Sequence, residues 1–392
     1  MKTSTAEERN PKMKRIWIMA GEASGDLYGA ELTKALHQMA PEVQISGMGG
    51  LKMCEAGVDI FVDSTELGVV GIIEVAKSIG FFLKLLKQMA EKAEKERPDL
   101  VVLIDYPGFN LRLAEKLHKL GIKVVYYISP QVWAWKKGRI PKIARDVTRM
   151  LCIFPFEPQV YAGTGLRADF VGHPLLELLR PYREKKTQRD DNLVLLLPGS
   201  RGGELKRHIP PFLDTAVKLL EKHPALRFAM PLPREKTKDL ADSIIGTLNI
   251  PDELKSRLDI TVGNTRERMT EATAGLAASG TVTVEAAILG LPLVVAYRTN
   301  WLTYQIAKRL VKLPSITIAN LVMERTVYQE CIQYDVTAAK MGPALEAILP
   351  GGSRREEVLT GIRECVEKLG SEEHVSQKVA EEVLDVLGRT SE

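Results

Sequence analysis

One local pattern recurs along the chain: a short unbroken apolar run, a turn carrying glycine or a carboxylate, then apolar residues at helical spacing. Arg15–Ala20 runs into Gly21-Glu-Ala-Ser-Gly-Asp26, and Ala30, Leu32, Ala35 and Leu36 follow. Leu100–Ile104 stops at Asp105-Tyr-Pro-Gly-Phe-Asn110, and residues 123–128 stop at Ser129-Pro-Gln-Val-Trp-Ala-Trp135. Unbroken apolar runs suit parallel strands covered on both faces, and helical stretches between them suit right-handed crossovers. The pattern predicts a doubly wound α/β sheet, with ligands at the strand ends.

A charge-dense stretch, residues 180–192, interrupts the pattern and reads as a linker. The grammar then restarts. Residues 193–197 lead into Pro198-Gly-Ser-Arg-Gly-Gly-Glu204, and further apolar runs lie at 227–230, 275–278 and Leu293–Tyr297. Two such halves in 392 residues predict two domains with a cleft between them. Near the end, Val375, Val379, Val383, Leu384 and Leu387 have the spacing of one more amphipathic helix.

Several functions are disfavoured by composition. Lys and Arg number 54 against 50 Asp and Glu, an excess too small to imply nucleic-acid binding, although it suits an anionic partner. Cys54, Cys152, Cys331 and Cys365 are far apart, with no CxxC pair, which argues against a disulfide framework or a zinc site and fits a reducing compartment. The first 14 residues lack the apolar core of a signal peptide, and no run approaches the roughly 20 apolar residues needed to span a bilayer. A soluble or membrane-surface protein is expected.

Four strand ends carry candidate chemistry. The Gly21–Asp26 turn, with Glu22, Ser24, Gly25 and Asp26, is either a phosphate-binding turn or a tight turn in which Ser24 or Asp26 caps a helix. Gly199, Ser200 and Arg201 follow an apolar strand, where glycine backbone N–H groups and a guanidinium can grip a phosphate. Ser279, Gly280 and Thr281 open a helix containing Glu285, and a helix N-terminus suits a diphosphate. Asp105 is either a general base or a turn aspartate, and His173 a second acid–base candidate or a structural histidine. No Asp-X-Asp pair is present to hold a divalent ion, so no metal is expected. Residues 67–86 are apolar but interleaved with Lys77 and Lys84; they suit either a buried helix or a surface meeting acyl chains and anionic headgroups.

Taken in order, Gly21–Asp26, Gly71-Ile-Ile-Glu-Val75, Asp105–Asn110, Ser129–Trp135, Phe154-Pro-Phe-Glu157, Val171-Gly-His-Pro174, Leu197-Pro-Gly-Ser-Arg201, Ala278-Ser-Gly-Thr281 and Tyr297-Arg298 resemble the lipid-A-disaccharide synthase family of bacterial glycosyltransferases. That resemblance implies a GT-B fold: two Rossmann-like domains, here 15–185 for the acceptor and 186–370 for the UDP-sugar. A polar extension (1–14) would precede them. A C-terminal helix (371–392) would pack back on the first domain or swap between subunits of a homodimer. It further implies condensation of UDP-2,3-diacylglucosamine with 2,3-diacylglucosamine 1-phosphate (lipid X) in a β-1,6 linkage, with inversion, release of UDP and no cofactor. The work would be done at the cytoplasmic face of the inner membrane.

Residue by residue, the resemblance implies Asp105 as catalytic base, Arg201 as the diphosphate arginine and Asn320 as a residue needed for activity. Ser279, Gly280, Thr281, Glu285, Glu330 and Gln333 would lie on the nucleotide side. Glu22, Ser24, Gly25, Asp26 and Asn110 would lie on the acceptor side. Leu67, Val69, Val70, Ile72 and Ile73, continuing to Phe81 and Phe82, would face lipid. Another GT-B enzyme acting on UDP-GlcNAc-type substrates, or a non-catalytic lipid-binding protein, are the alternatives.

Overall fold

The computed structural model describes residues 13–64, 75–185, 187–310, 313–370 and 374–388. They form two compact units, one running to Pro174 and including the C-terminal helix, the other starting at Leu175.

In the first unit the strands are β1 (Arg15–Ala20), β2 (Gln44–Gly49), β3 (Asp59–Asp63), β4 (Leu100–Ile104), β5 (Lys123–Tyr127), β6 (Arg149–Cys152) and β7 (Arg167–Phe170). All neighbours pair in parallel, in the order β3-β2-β1-β4-β5-β6-β7. The order reverses between β1 and β4. At such a switch point two crossovers leave in opposite directions and open a crevice beyond the strand ends. β4 is buried along its whole length and β1 from Ile16 onward, which is what their apolar sequence requires. Helix Pro107–Lys119 contributes Phe109, Leu113 and Leu117 to the core, and helix Val75–Glu96 contributes Leu85, Leu86 and Met89.

Helix Val75–Glu96 divides the lipid-facing expectation. Phe82 is half-buried, its ring edge-on to Phe109 at 5.1 Å, so it belongs to the core rather than to a lipid surface. Phe81 and Leu83 are 53% and 52% exposed. Leu67, Val69, Val70, Ile72 and Ile73 lie outside the described residues. Among the described residues no helix is long and apolar enough to cross a membrane.

The C-terminal helix, Val375–Leu387, buries Val379, Val383 and Leu387 against helix Ala23–Met39 and the β4–β5 region of its own chain. Polar contacts fix its register: Lys123 Nζ donates to the Val386 carbonyl at 2.6 Å, and Arg149 pairs with Asp385 at 2.7 Å and with Glu382.

Within the second unit lie β8 (Asp190–Leu197), β9 (Arg227–Leu232), β10 (Leu258–Val262), β11 (Ala272–Ala278), β12 (Leu293–Tyr297) and β13 (Gln329–Ile332). Their order, β10-β9-β8-β11-β12-β13, repeats that of the first sheet, with its switch point between β8 and β11. The stretch 180–192 is not the linker the sequence suggested. Helices Leu175–Leu178 and Arg180–Glu184 belong to the second unit, with Leu175, Leu176 and Leu179 buried, and β8 begins at Asp190.

Candidate active site

Each sheet presents one set of polar groups at its switch point. In the first unit, Glu22 lies just beyond the end of β1 and Asp105 just beyond the end of β4. Asp105 and Tyr106 both adopt left-handed backbone conformations, with φ of 45° and 47°. Two successive non-glycine residues in that region are costly, and a turn of this kind persists only when its surroundings hold it. Here they do. The Asp105 carbonyl accepts from the Tyr126 hydroxyl at 2.7 Å and from Asn110 Nδ2 at 2.9 Å, and its N–H donates to the Tyr127 carbonyl at 2.9 Å. Gly21 is required by the same turn, because a Cβ there would stand 2.2 Å from the Tyr106 ring. The backbone is thereby locked, and the carboxylate accepts from the Tyr106 N–H. Burial, reinforced by the charge of Glu22, pushes the Asp105 carboxyl up to about 6.

The other acceptor-side expectations divide. Glu22 and Ser24 are exposed at the start of helix Ala23–Met39. Gly25 lets that helix approach β1, since a Cβ there would meet the Ala20 side chain at 3.3 Å. Asp26 is not available to a substrate and does not cap its own helix. Its carboxylate accepts from the backbone N–H groups of Gly50 (2.7 Å), Lys52 (3.1 Å) and Met53 (3.1 Å), capping the short helix Leu51–Glu55. Asn110 is fully buried, and its Nδ2 donates to the Ile104 and Asp105 carbonyls at 3.1 and 2.9 Å. His173 is buried with its ring 5.4 Å from Phe154, and burial lowers its pKa to about 3, so it is neutral and structural.

In the second unit the β8 and β11 ends open on a cavity of about 580 Å³ lined by Gly199, Ser200, Arg201, Ser279, Gly280, Thr281 and Glu285. The sequence reading placed all seven on the nucleotide side. Gly199 has a φ of 112°, and a Cβ on it would fall 2.4 Å from Glu204 Oε2, so only glycine fits. Arg201 stands at the N-cap position of helix Gly202–Lys222, where its backbone carbonyl accepts the Glu204 and Leu205 N–H groups at 2.9 and 3.0 Å. The first turn of helix Thr281–Ile288 presents N–H groups that have no intrahelical partner. Below the strand ends, His208 ties the loops together: Nδ1 lies 3.1 Å from the Pro198 carbonyl, and Nε2 accepts the Arg298 N–H at 3.0 Å. Those partners fix it as the neutral Nδ1–H tautomer, and burial depresses its pKa.

Two residues escaped the sequence reading. Arg266, beyond the end of β10, and Tyr182 also line the cavity, and Arg266 Nε donates to Glu285 Oε2 at 2.9 Å. Glu204 is a third polar element: its Oε2 accepts from the N–H groups of Ser200 (2.9 Å) and Arg201 (3.1 Å), and Oε1 meets Arg201 Nη1 at 3.1 Å. A carboxylate thus occupies the donors that suit a phosphate oxygen.

Asn320, Glu330 and Gln333 do not line this cavity. Asn320 Nδ2 donates to the Tyr328 carbonyl (2.9 Å) and Glu330 (3.0 Å), while Oδ1 accepts from the N–H groups of Val327 and Tyr328, both at 2.8 Å. Its hydrogen-bonding capacity is used up. Glu330 gathers Ser315, the Ile316 N–H (3.1 Å) and the Thr317 N–H (2.9 Å). Gln333 pairs with the Thr299 N–H (3.1 Å) and carbonyl (3.0 Å). Asn320 and Glu330 hold the 315–320 loop, whose Ile316 carbonyl accepts from Ser279 at 3.3 Å, and Gln333 holds Thr299 beyond β12. Asn320→Ala strands three buried backbone groups, the Val327 and Tyr328 N–H and the Tyr328 carbonyl, so a stability loss of about 3 kcal/mol should accompany any loss of activity. A melting temperature equal to that of the unmodified protein would instead return Asn320 to a purely chemical role.

Comparisons with known proteins identify the family. The family model for lipid-A-disaccharide synthetase matches residues 16–384. The chain is 40% identical to the lipid-A-disaccharide synthase of Geobacter sulfurreducens over 96% of its own length and 98% of the relative's. It is also 40% identical to that of Koribacter versatilis, covering 100% of it. The chain belongs to the lipid-A-disaccharide synthetase family. Its function is therefore that of a glycosyltransferase of lipid A biosynthesis, on a GT-B fold. Among solved structures it resembles the UDP-GlcNAc 2-epimerase of Neisseria meningitidis bound to UDP-GlcNAc, with a TM-score of 0.66 over 95% of this chain and 100% of that one. Identity there is 12%, so that likeness concerns the fold alone.

Proposed function

We propose that the chain joins UDP-2,3-diacylglucosamine to lipid X, giving the β-1,6-linked tetraacyl disaccharide 1-phosphate and UDP, with Asp105 as general base. The observation carrying this reading is the Asp105 turn: a carboxylate at a switch point, on a backbone locked in a strained conformation, with its pKa brought near neutrality. Asp105 takes the proton of the acceptor 6-hydroxyl as that oxygen bonds to the anomeric carbon. The bond to the UDP oxygen breaks on the opposite face, which inverts the centre. Arg201, Arg266 and the N-terminus of helix Thr281–Ile288 receive the charge of the departing diphosphate.

Phe81 and Leu83 are exposed on a helix that also carries Lys84 and Lys87, which supports contact with an anionic membrane surface such as the cytoplasmic face of the inner membrane. A homodimer that exchanges helix Val375–Leu387 would reuse the contacts this helix makes within its own chain.

Mixing the purified protein with UDP-diacylglucosamine and lipid X is expected to release UDP and disaccharide in equal amounts, with turnover retained in EDTA because guanidinium groups and helix termini carry the charge. UDP-sugar converted without any disaccharide would favour an epimerase. Turnover abolished by EDTA and restored by magnesium would overturn the metal-free scheme.

A further inference from the structure

Two residues beyond Asp105, the same turn borders a second cavity in the first unit, of about 170 Å³, between helix Pro107–Lys119 and helix Ile140–Asp146. Arg112, Arg139 and Lys142 line it. We propose that this cavity is the seat of the acceptor's anomeric phosphate, held by Arg112 and Arg139. The proposal rests on the reading of the chain as a transferase to a sugar phosphate.

The electrostatics support it. Asp146 also lines the cavity, but both its oxygens are taken by Arg145, at 2.7 and 3.1 Å. Glu115 is shared by Lys142 (2.5 Å) and Lys119 (3.1 Å). Arg112, Arg139 and Lys142 thus outnumber the one lining carboxylate, and neither Arg112 nor Arg139 pairs with a carboxylate among the described residues. An unneutralised pair of guanidiniums at a cavity selects a dianionic, multi-oxygen ligand. Arg112 is also positioned, its guanidinium 5.6 Å from the centre of the Phe82 ring, which in turn packs on Phe109 and Tyr106.

Pro107 borders the cavity two residues beyond Asp105, and two residues of chain span at most about 7 Å, so the cavity begins beside the Asp105 turn.

The experiment compares lipid X with its phosphate-free analogue, 2,3-diacylglucosamine, as acceptors for the full-length protein and for Arg112→Ala and Arg139→Ala. Each variant is expected to raise KM for lipid X by about 10–100-fold, with kcat and the KM for UDP-diacylglucosamine little changed, as for an interaction made equally in ground and transition states. With the phosphate-free acceptor, both variants should match the unmodified protein. Arg139→Lys should restore part of the loss. Variants equally impaired on both acceptors, or unimpaired on lipid X, overturn the proposal while leaving the transferase reading intact. No transfer by the unmodified protein to either acceptor overturns both.

Discussion

Asp105→Asn should abolish most turnover and at the same time make the protein more stable. Removing a general base costs about 10²–10⁴ in rate. Asparagine tolerates the left-handed backbone at this position, and the bonds from Tyr126 and Asn110 reach the Asp105 carbonyl, which the substitution keeps. The turn should therefore survive. The stability gain follows from the direction of the pKa shift. The carboxyl rises from 3.8 to about 6 on folding, chiefly through burial, so the folded chain binds this proton more tightly than the unfolded chain does. The contribution of that proton to stability is present at low pH and is lost as pH rises from about 4 to 6, leaving at pH 7 a charged group that costs up to about 3 kcal/mol. Asparagine removes the charge. The variant's melting temperature should exceed that of the unmodified protein at pH 7 to 8, and the two should converge below about pH 4. In the unmodified protein, kcat/KM should fall tenfold per pH unit below about 6, and Glu22→Gln should move that limb to lower pH by a smaller amount, since Glu22 is the second cause of the shift. A variant that retains near-normal turnover, or melts several degrees lower at pH 7, removes Asp105 from this role.

The strands legible in the sequence and those that were not differ in position within the sheets. β1, β4, β5, β8, β9, β11 and β12 stood out as apolar runs because neighbours flank them on both sides and layers cover both faces. The strands that escaped include all four sheet edges, β3, β7, β10 and β13, whose burial is partial and whose sequences (Asp59–Asp63, Arg167–Phe170) mix charge with apolar residues. β6 is only four residues long. β2 was hidden for another reason. Its glycines lower strand propensity, yet a Cβ on Gly47 would fall 1.9 Å from the Ile18 carbonyl, so the close approach to β1 demands glycine where a pattern reader sees a turn.

The site follows the same logic. Arg201 and residues 279–281 were legible because glycines and small residues follow a buried strand. Arg266 was not, because it follows an edge strand that the pattern does not reveal. Asn320, Glu330 and Gln333 differ: motif position marks them, and the fold sets them off this cavity with their side chains bonded to neighbouring backbone, which no motif spacing reveals. Asp26 misled for a related reason: a carboxylate in a glycine-bearing turn invites a ligand, and its three amide partners come from a segment more than twenty residues further along the chain.

Arg201→Ala should separate chemistry from folding in the second unit as cleanly as Asp105→Asn does in the first. The Arg201 side chain is 84% exposed, and its one ion pair among the described residues, to Glu204 at 3.1 Å, is a surface contact of little consequence for stability. Its removal should leave the melting temperature within about a degree, as for surface substitutions generally. Turnover should nonetheless fall by about 10²–10³, the usual effect of losing one preorganised donor to a developing oxyanion. Arg201→Lys should recover only part of this, because an ammonium cannot offer the paired, planar donors that suit a diphosphate. Binding supplies an independent readout. Saturating UDP stabilises a protein that binds it only when folded, by about 2.7 kcal/mol at a hundred times Kd, so UDP should raise the melting temperature of the unmodified chain and do so less in Arg201→Ala. Glu204 sharpens the test. Its carboxylate holds the Ser200 and Arg201 N–H groups, so an incoming diphosphate must displace it. Glu204→Gln keeps a hydrogen-bonding side chain but removes its charge, and should tighten UDP binding while Arg201→Ala weakens it. If UDP shifts the melting of all three proteins equally, the 580 Å³ cavity is not where the nucleotide binds.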